Sequence, residues 1–182
     1  MWQDESVNVM ARSGWLRAGA ALLVVLAAQW AAAQTPGGMP GSEAETLSGK
    51  HLVVADAARG HRTVLVMGFS KDAGDGCTEW SRALRADPAL AGVPVYGGAM
   101  LAAAPGFIRG LIKSALRKSL SPAEQEQFLV LVTDEATWRA WFGVGDDKQP
   151  YVVVVDAAGK VAWRGHGAAR ELEGQVRGAV SR

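Results

Sequence analysis

One side chain in this sequence is a candidate nucleophile: Cys77, the single cysteine among 182 residues. A thiol reacts as its thiolate, and a helix N-terminus or a nearby cation favours that form. Cys77 follows the loop at residues 71–76 (KDAGDG). It opens a run over 78–85 in which Cys77, Trp80, Ala83 and Leu84 recur at helical spacing. Asp72 and Asp75 work against activation, because like charge raises a neighbouring thiol's pKa. Without a second cysteine the chain closes no disulfide on itself, and a thiolate zinc site lacks its ligands. Cys77 is therefore either a small residue on the apolar helix face beside Trp80 or a reactive, partner-linked thiol. Free cysteine is among the most buried residue types, so the first is the expectation.

The other chemistry-bearing residues are more dispersed. His51, His61 and His166 show no metal-ligand spacing on one element, so neither a metal nor a cofactor is expected. His166 lies between two glycines, where it can border the edge that carries Cys77. Arg109, Lys113, Arg117 and Lys118 form a basic helical face with no acidic residue between Met100 and Glu124. Such a face either meets an anionic membrane surface or an acidic partner, or is simply solvated, and the last is the expectation. A formal net charge of +1 argues against nucleic-acid binding. No Ser-His-Asp set is evident, and Gly74-Asp75-Gly76 alone does not make a phosphate loop.

These residues must be positioned by a folded domain. Hydrophobic residues make up 49% and charged residues 20%, enough apolar material for a core. Ahead of it, residues 18–33 (AGAALLVVLAAQWAAA) are apolar, follow Arg12 and Arg17, and end in the triplet at 31–33. That pattern describes a secretory signal peptide over 1–33, with Met10 a better start than Met1. The run is short for a spanning helix, so an N-terminal membrane anchor is the second reading. Residues 34–45, rich in Gly, Pro and Ser, read as a flexible linker, leaving 46–182 as the domain.

Within the domain, strands are expected at 47–54, 63–69 (TVLVMGF), 93–96, 128–132 (FLVLV) and 151–155 (YVVVV). The last returns through the turn at 156–159 to 161–163 as a hairpin. Phe107, Ile108, Leu111, Ile112, Ala115 and Leu116 line one face of a helix. Thr133 or Asp134 caps the next, carrying Trp138, Trp141 and Phe142, and 168–180 is a final helix. Strands alternating with helices, then a hairpin and a last helix, predict an α/β fold with a central mixed sheet covered on both faces.

That order resembles the thioredoxin fold. TVLVMGF with its Gly-rich loop and helix is similar to the thioredoxin strand, active loop and helix. QPYVVVVDAAGKVAW is similar to the segment that follows the thioredoxin cis-proline, which makes Pro150 the candidate for that proline; an ordinary trans proline at a strand start is the alternative. By thioredoxin spacing the attacking position falls on Gly74 and the resolving position on Cys77, so the resemblance implies a redox motif that has lost its first cysteine. Within the fold, the leading LSGK, the GFS loop, the basic helical insertion and the VDAAGKVAWRGHG ending resemble the ATP10-like family. Its mitochondrial members are assembly factors for the membrane sector of ATP synthase. KDAGDGCTEW also resembles the peroxiredoxin loop, but Ser70, Gly74 and Gln149 or Pro150 stand where its proline, threonine and arginine belong.

The resemblances imply an exported, periplasmic or secreted thioredoxin-fold protein that binds or assembles an envelope or membrane protein. Gly74, Asp75, Gly76 and Pro150 would form its recognition edge. A thiol-dependent oxidoreductase or peroxidase using Cys77 is the alternative.

Overall fold

The structure, a computed structural model, describes residues 38–182. The signal peptide expected over 1–33, the start at Met10 and the first part of the expected linker lie outside the described residues. One mixed sheet organises the rest. Its strands are β1 (Glu43–Thr46), β2 (His51–Val53), β3 (Thr63–Gly68), β4 (Val95–Met100), β5 (Phe128–Leu131), β6 (Tyr151–Val155) and β7 (Val161–His166), in spatial order β2-β1-β5-β4-β3-β6-β7. β3, β4 and β5 run parallel; the remaining pairings are antiparallel. The helices are α1 (Val54–Ala57), α2 (Gly74–Ala86), α3 (Gly106–Ser119), α4 (Pro122–Glu126), α5 (Glu135–Phe142) and α6 (Ala169–Val180).

β3 and β6 are apolar at nearly every position and every residue of both is buried, as strands covered on both faces must be. Alternate residues feed two cores. Leu65, Met67, Val153 and Val155 meet α1 and α5, where Trp138, Trp141 and Phe142 pack edge-to-face. Val64, Val66, Val152 and Val154 meet Trp80 and Leu84 of α2 and Val176 and Ala179 of α6. The Trp80 indole N–H also donates to the Gly167 carbonyl at 2.7 Å, tying α2 to the turn before α6. The expected α/β architecture with helices on both faces is what forms.

Several local expectations need correction. The domain begins inside the segment read as linker: Ser42 and Ala44 are buried, and Glu43 starts β1, which pairs with β5. The single strand expected over 47–54 is instead the hairpin β1–β2, turning at Gly49 with φ +94°. The strand expected at 93–96 begins later and runs through Gly97 and Gly98 to Met100, held between β3 and β5. Asp134 does not cap α5 through its side chain; it stands at φ 57°, and its carboxylate accepts the Ser42 hydroxyl at 2.7 Å.

Candidate functional site

α2 starts at Gly74, four residues before the expected helix, so the loop GDG is its first turn. Gly74 and Asp75 are exposed, while Gly76 and Cys77 turn inward. The Cys77 N–H already donates to the Ala73 carbonyl at 2.9 Å and is not free to stabilise a thiolate. The side chain packs beside the α2 core, and a Cβ built on Gly68 of β3 would lie 3.2 Å from its Sγ. Burial pushes the Cys77 thiol up to about 12. The rise expected from Asp72 and Asp75 therefore has a different cause: removal from water, not carboxylate charge.

Pro150 is buried immediately before β6, against the first turn of α2. A Cβ on Gly76 would fall 2.8 Å from Pro150 Cγ, so only glycine permits this approach. The loop leading to Pro150 is fixed from below. The Tyr151 hydroxyl accepts from the Gly145 and Asp146 N–H groups and donates to the Asp146 carbonyl, and the Pro150 carbonyl accepts from Gly167 N–H at 3.2 Å. Ser70, at the position of the peroxiredoxin proline, donates instead to the Asp147 carbonyl at 2.8 Å. Gly74, Asp75, Gly76, Cys77 and Pro150 thus form one edge. His166 pairs with Tyr151 across β6–β7 and stacks on its ring at 5.3 Å, bordering this edge without a hydrogen bond to Cys77 among the described residues.

The basic residues of α3 are elsewhere, and three of the four are hydrogen-bonded within the chain. Lys113 donates to both oxygens of Glu45 at 2.7 and 2.8 Å, and it holds the Glu45 carboxyl below its usual range. Arg117 donates to the Leu47 carbonyl and Arg109 to the Ala104 carbonyl, each at 2.7 Å. Arg117 and Lys118 are both exposed. Lys113 and Arg117 thus tie α3 to β1 and the residue after it, and Arg109 ties it to its own approach. The apolar stripe behaves differently too: no residue of α3 is buried, and Phe107 and Leu111 are 73% and 65% exposed.

Beneath α3 lies a feature absent from the sequence reading. A cavity of about 660 Å³ separates α2 from α3 above β4 and β5. On that face β4 presents Val95, then Gly97 and Ala99, so the sheet loses bulk where it passes under α3. The VYGGAM segment was the available signal. Cys77 forms part of the wall; Arg82, Arg85 and Glu124 lie at the opposite end of α2. Among the described residues no three His, Cys, Asp or Glu side chains gather as a metal would need, and no helix is long and apolar enough to cross a membrane.

No protein-family model matches the sequence, and no curated protein matches it. Solved structures do. The exposed lipoprotein thioredoxin Etrx1 of Streptococcus pneumoniae is 17% identical with a TM-score of 0.51, over 75% of this chain and 97% of that one. Yeast Sco1 is 13% identical with a TM-score of 0.53, over 81% and 97%. BsSco, a member of the Sco family of cytochrome c oxidase assembly proteins, matches to the same degree. A cysteine mutant of Xanthomonas campestris peroxiredoxin Q is 20% identical with a TM-score of 0.53, over 77% and 90%. At such identities the likeness is one of fold: this chain has the thioredoxin fold.

Proposed function

We propose that this protein holds a partner rather than oxidises or reduces one. It is an exported thioredoxin-fold module that binds or assembles an envelope or membrane protein along the edge formed by Gly74, Asp75, Gly76, Cys77 and Pro150. The observation that carries this reading is the state of the one sulfur. Cys77 has no second cysteine to pair with, its backbone N–H is spent within the helix, and burial keeps its thiol protonated at neutral pH. The edge itself is intact, with Gly76 closed onto Pro150 and two exposed positions beside them. The apolar run at 18–33 supports export, and an exposed lipoprotein and assembly proteins among the fold neighbours fit that setting. The ATP10-like resemblance points to the same kind of role.

Two measurements test it. Alkylation of Cys77 in the folded protein is expected to be slow at neutral pH and still rising at strongly alkaline pH, with no turnover of hydroperoxide or dithiol. A photo-crosslinker at Asp75 is expected to capture an envelope protein in cells, unaffected by Cys77→Ser and lost with Gly76→Val. The same crosslinker at Glu171 on α6 is expected to capture nothing. Enzymatic turnover, or equal capture from both positions, overturns the reading.

A further inference from the structure

The cavity between α2 and α3 has a construction of its own. Its floor is the middle of the sheet, where β4 is paired with β3 on one side and β5 on the other. No free strand edge opens into it, so an extended peptide cannot join by backbone pairing. α2 walls it from Gly74 to Arg85, roughly 16 Å at ~1.5 Å per residue. The space therefore suits a thin, flexible apolar body, and Leu101, Ile112, Leu116, Leu120 and Phe128 supply its lining.

The C-terminal end of α2 is cationic. Arg82 is exposed and forms no ion pair among the described residues. Arg85 is partly buried, with Nη2 donating to the Val95 carbonyl at 3.3 Å and Nη1 3.5 Å from Glu124 Oε1. Its Nε is buried without a hydrogen-bond partner. Glu124 is the acid at this end, and it is engaged: Oε2 accepts both the Ser121 N–H and hydroxyl, and Oε1 faces Arg85. Two guanidiniums against one committed carboxylate leave a net positive end. Lys71 is exposed at the other end, near Cys77.

We propose that this cavity binds a long-chain fatty acid, its carboxylate at Arg82 and Arg85 and its acyl chain lying along α2 toward Cys77. Small-molecule sites are concave and mostly apolar, with a few placed polar groups, within about 300–1,000 Å³; this cavity has that size and pattern. A guanidinium meets a carboxylate through paired N–H donors, and exposed Arg82 has them free of any ion pair among the described residues, with Arg85 adding its charge beside it. The site is distinct from the recognition edge except for the shared Cys77 wall, and it stands or falls independently of that reading.

The test uses the intact protein and dansyl-undecanoic acid as a fluorescent probe, displaced by dodecanoate, dodecanol or dodecyltrimethylammonium. One probe per chain is expected, with dodecanoate at least about tenfold tighter than the alcohol or the cation, the scale of one charge-assisted hydrogen bond. Arg82→Glu is expected to erase that preference, and Lys71→Glu to leave it. Ala115→Trp, at an exposed position on the cavity wall, is expected to weaken all binding by more than about tenfold through lost space. Saturating dodecanoate is expected to slow Cys77 alkylation. Absence of saturable binding, equal affinity for all three head groups, an unaffected Ala115→Trp variant or a preference that follows Lys71 instead of Arg82 overturns the proposal.

Discussion

The two faces of the sheet are built to opposite standards. On one, α5 sets Trp138, Trp141 and Phe142 against Phe69 and Tyr151, with ring centroids 5.1 to 6.0 Å apart and most pairs edge-to-face. On the other, α2 and α6 pack tightly over β3 and β6, but α3 stands over glycine and alanine and buries no residue of its own. Side chains pinned on all sides contribute stability; α3 is held instead by its polar flank, through Lys113 and Arg117. The cohesion of this domain lies on the α5 face and beside Trp80, and its open space lies where packing is thin.

That contrast can be broken by substitution. Trp141→Ala is expected to cost about 3–5 kcal/mol in urea unfolding, because it opens a void among fully buried rings. Ile112→Ala, beside existing space, is expected to cost no more than about 1 kcal/mol, since large costs need a tightly enclosed site. Equal costs would erase the distinction between faces. Gly76→Val is expected to cost about 1–3 kcal/mol, as its Cβ must displace Pro150.

The smallest effect sharpens the view of how α3 is held. Lys113→Met is expected to cost at most about 1 kcal/mol, the range of a partly exposed ion pair. The Lys113 hydrogen bond lowers the folded pKa of Glu45, so the pair's contribution is present above the ordinary carboxyl value and is lost as pH falls through the lowered one. A melting curve followed from neutral to acid pH is expected to show that loss in the parent protein and a shallower slope in Lys113→Met.

Sequence patterning reached the parts of the molecule whose own residues decide their state. TVLVMGF and YVVVV are apolar throughout and could only be interior strands, and the turn at 156–159 is specified by Asp156 and by Gly159 at φ 76°. It missed parts decided by neighbours. Gly97 and Gly98 weaken a strand in isolation, but pairing on both sides carries them into β4. β1 lies in a polar, Gly- and Pro-rich stretch and becomes a strand only because β5 offers its edge. With Glu45 assigned to a linker, the partner of Lys113 was invisible, and the basic residues of α3 read as unengaged. The nearness of Gly76 to Pro150 follows from spacing local to two segments; the cavity does not, since it arises from two elements failing to touch.

The main-chain bond from Met39 N–H to the Gly159 carbonyl fixes where the described chain starts, at the hairpin turn. Pro150 and Gly76 lie at the other end of β6, and its five residues at ~3.4 Å each set the two ends about 17 Å apart. Met39 and the approach of Gly76 to Pro150 therefore occupy opposite poles of the same strand, so a label at one reports on surroundings the other does not share.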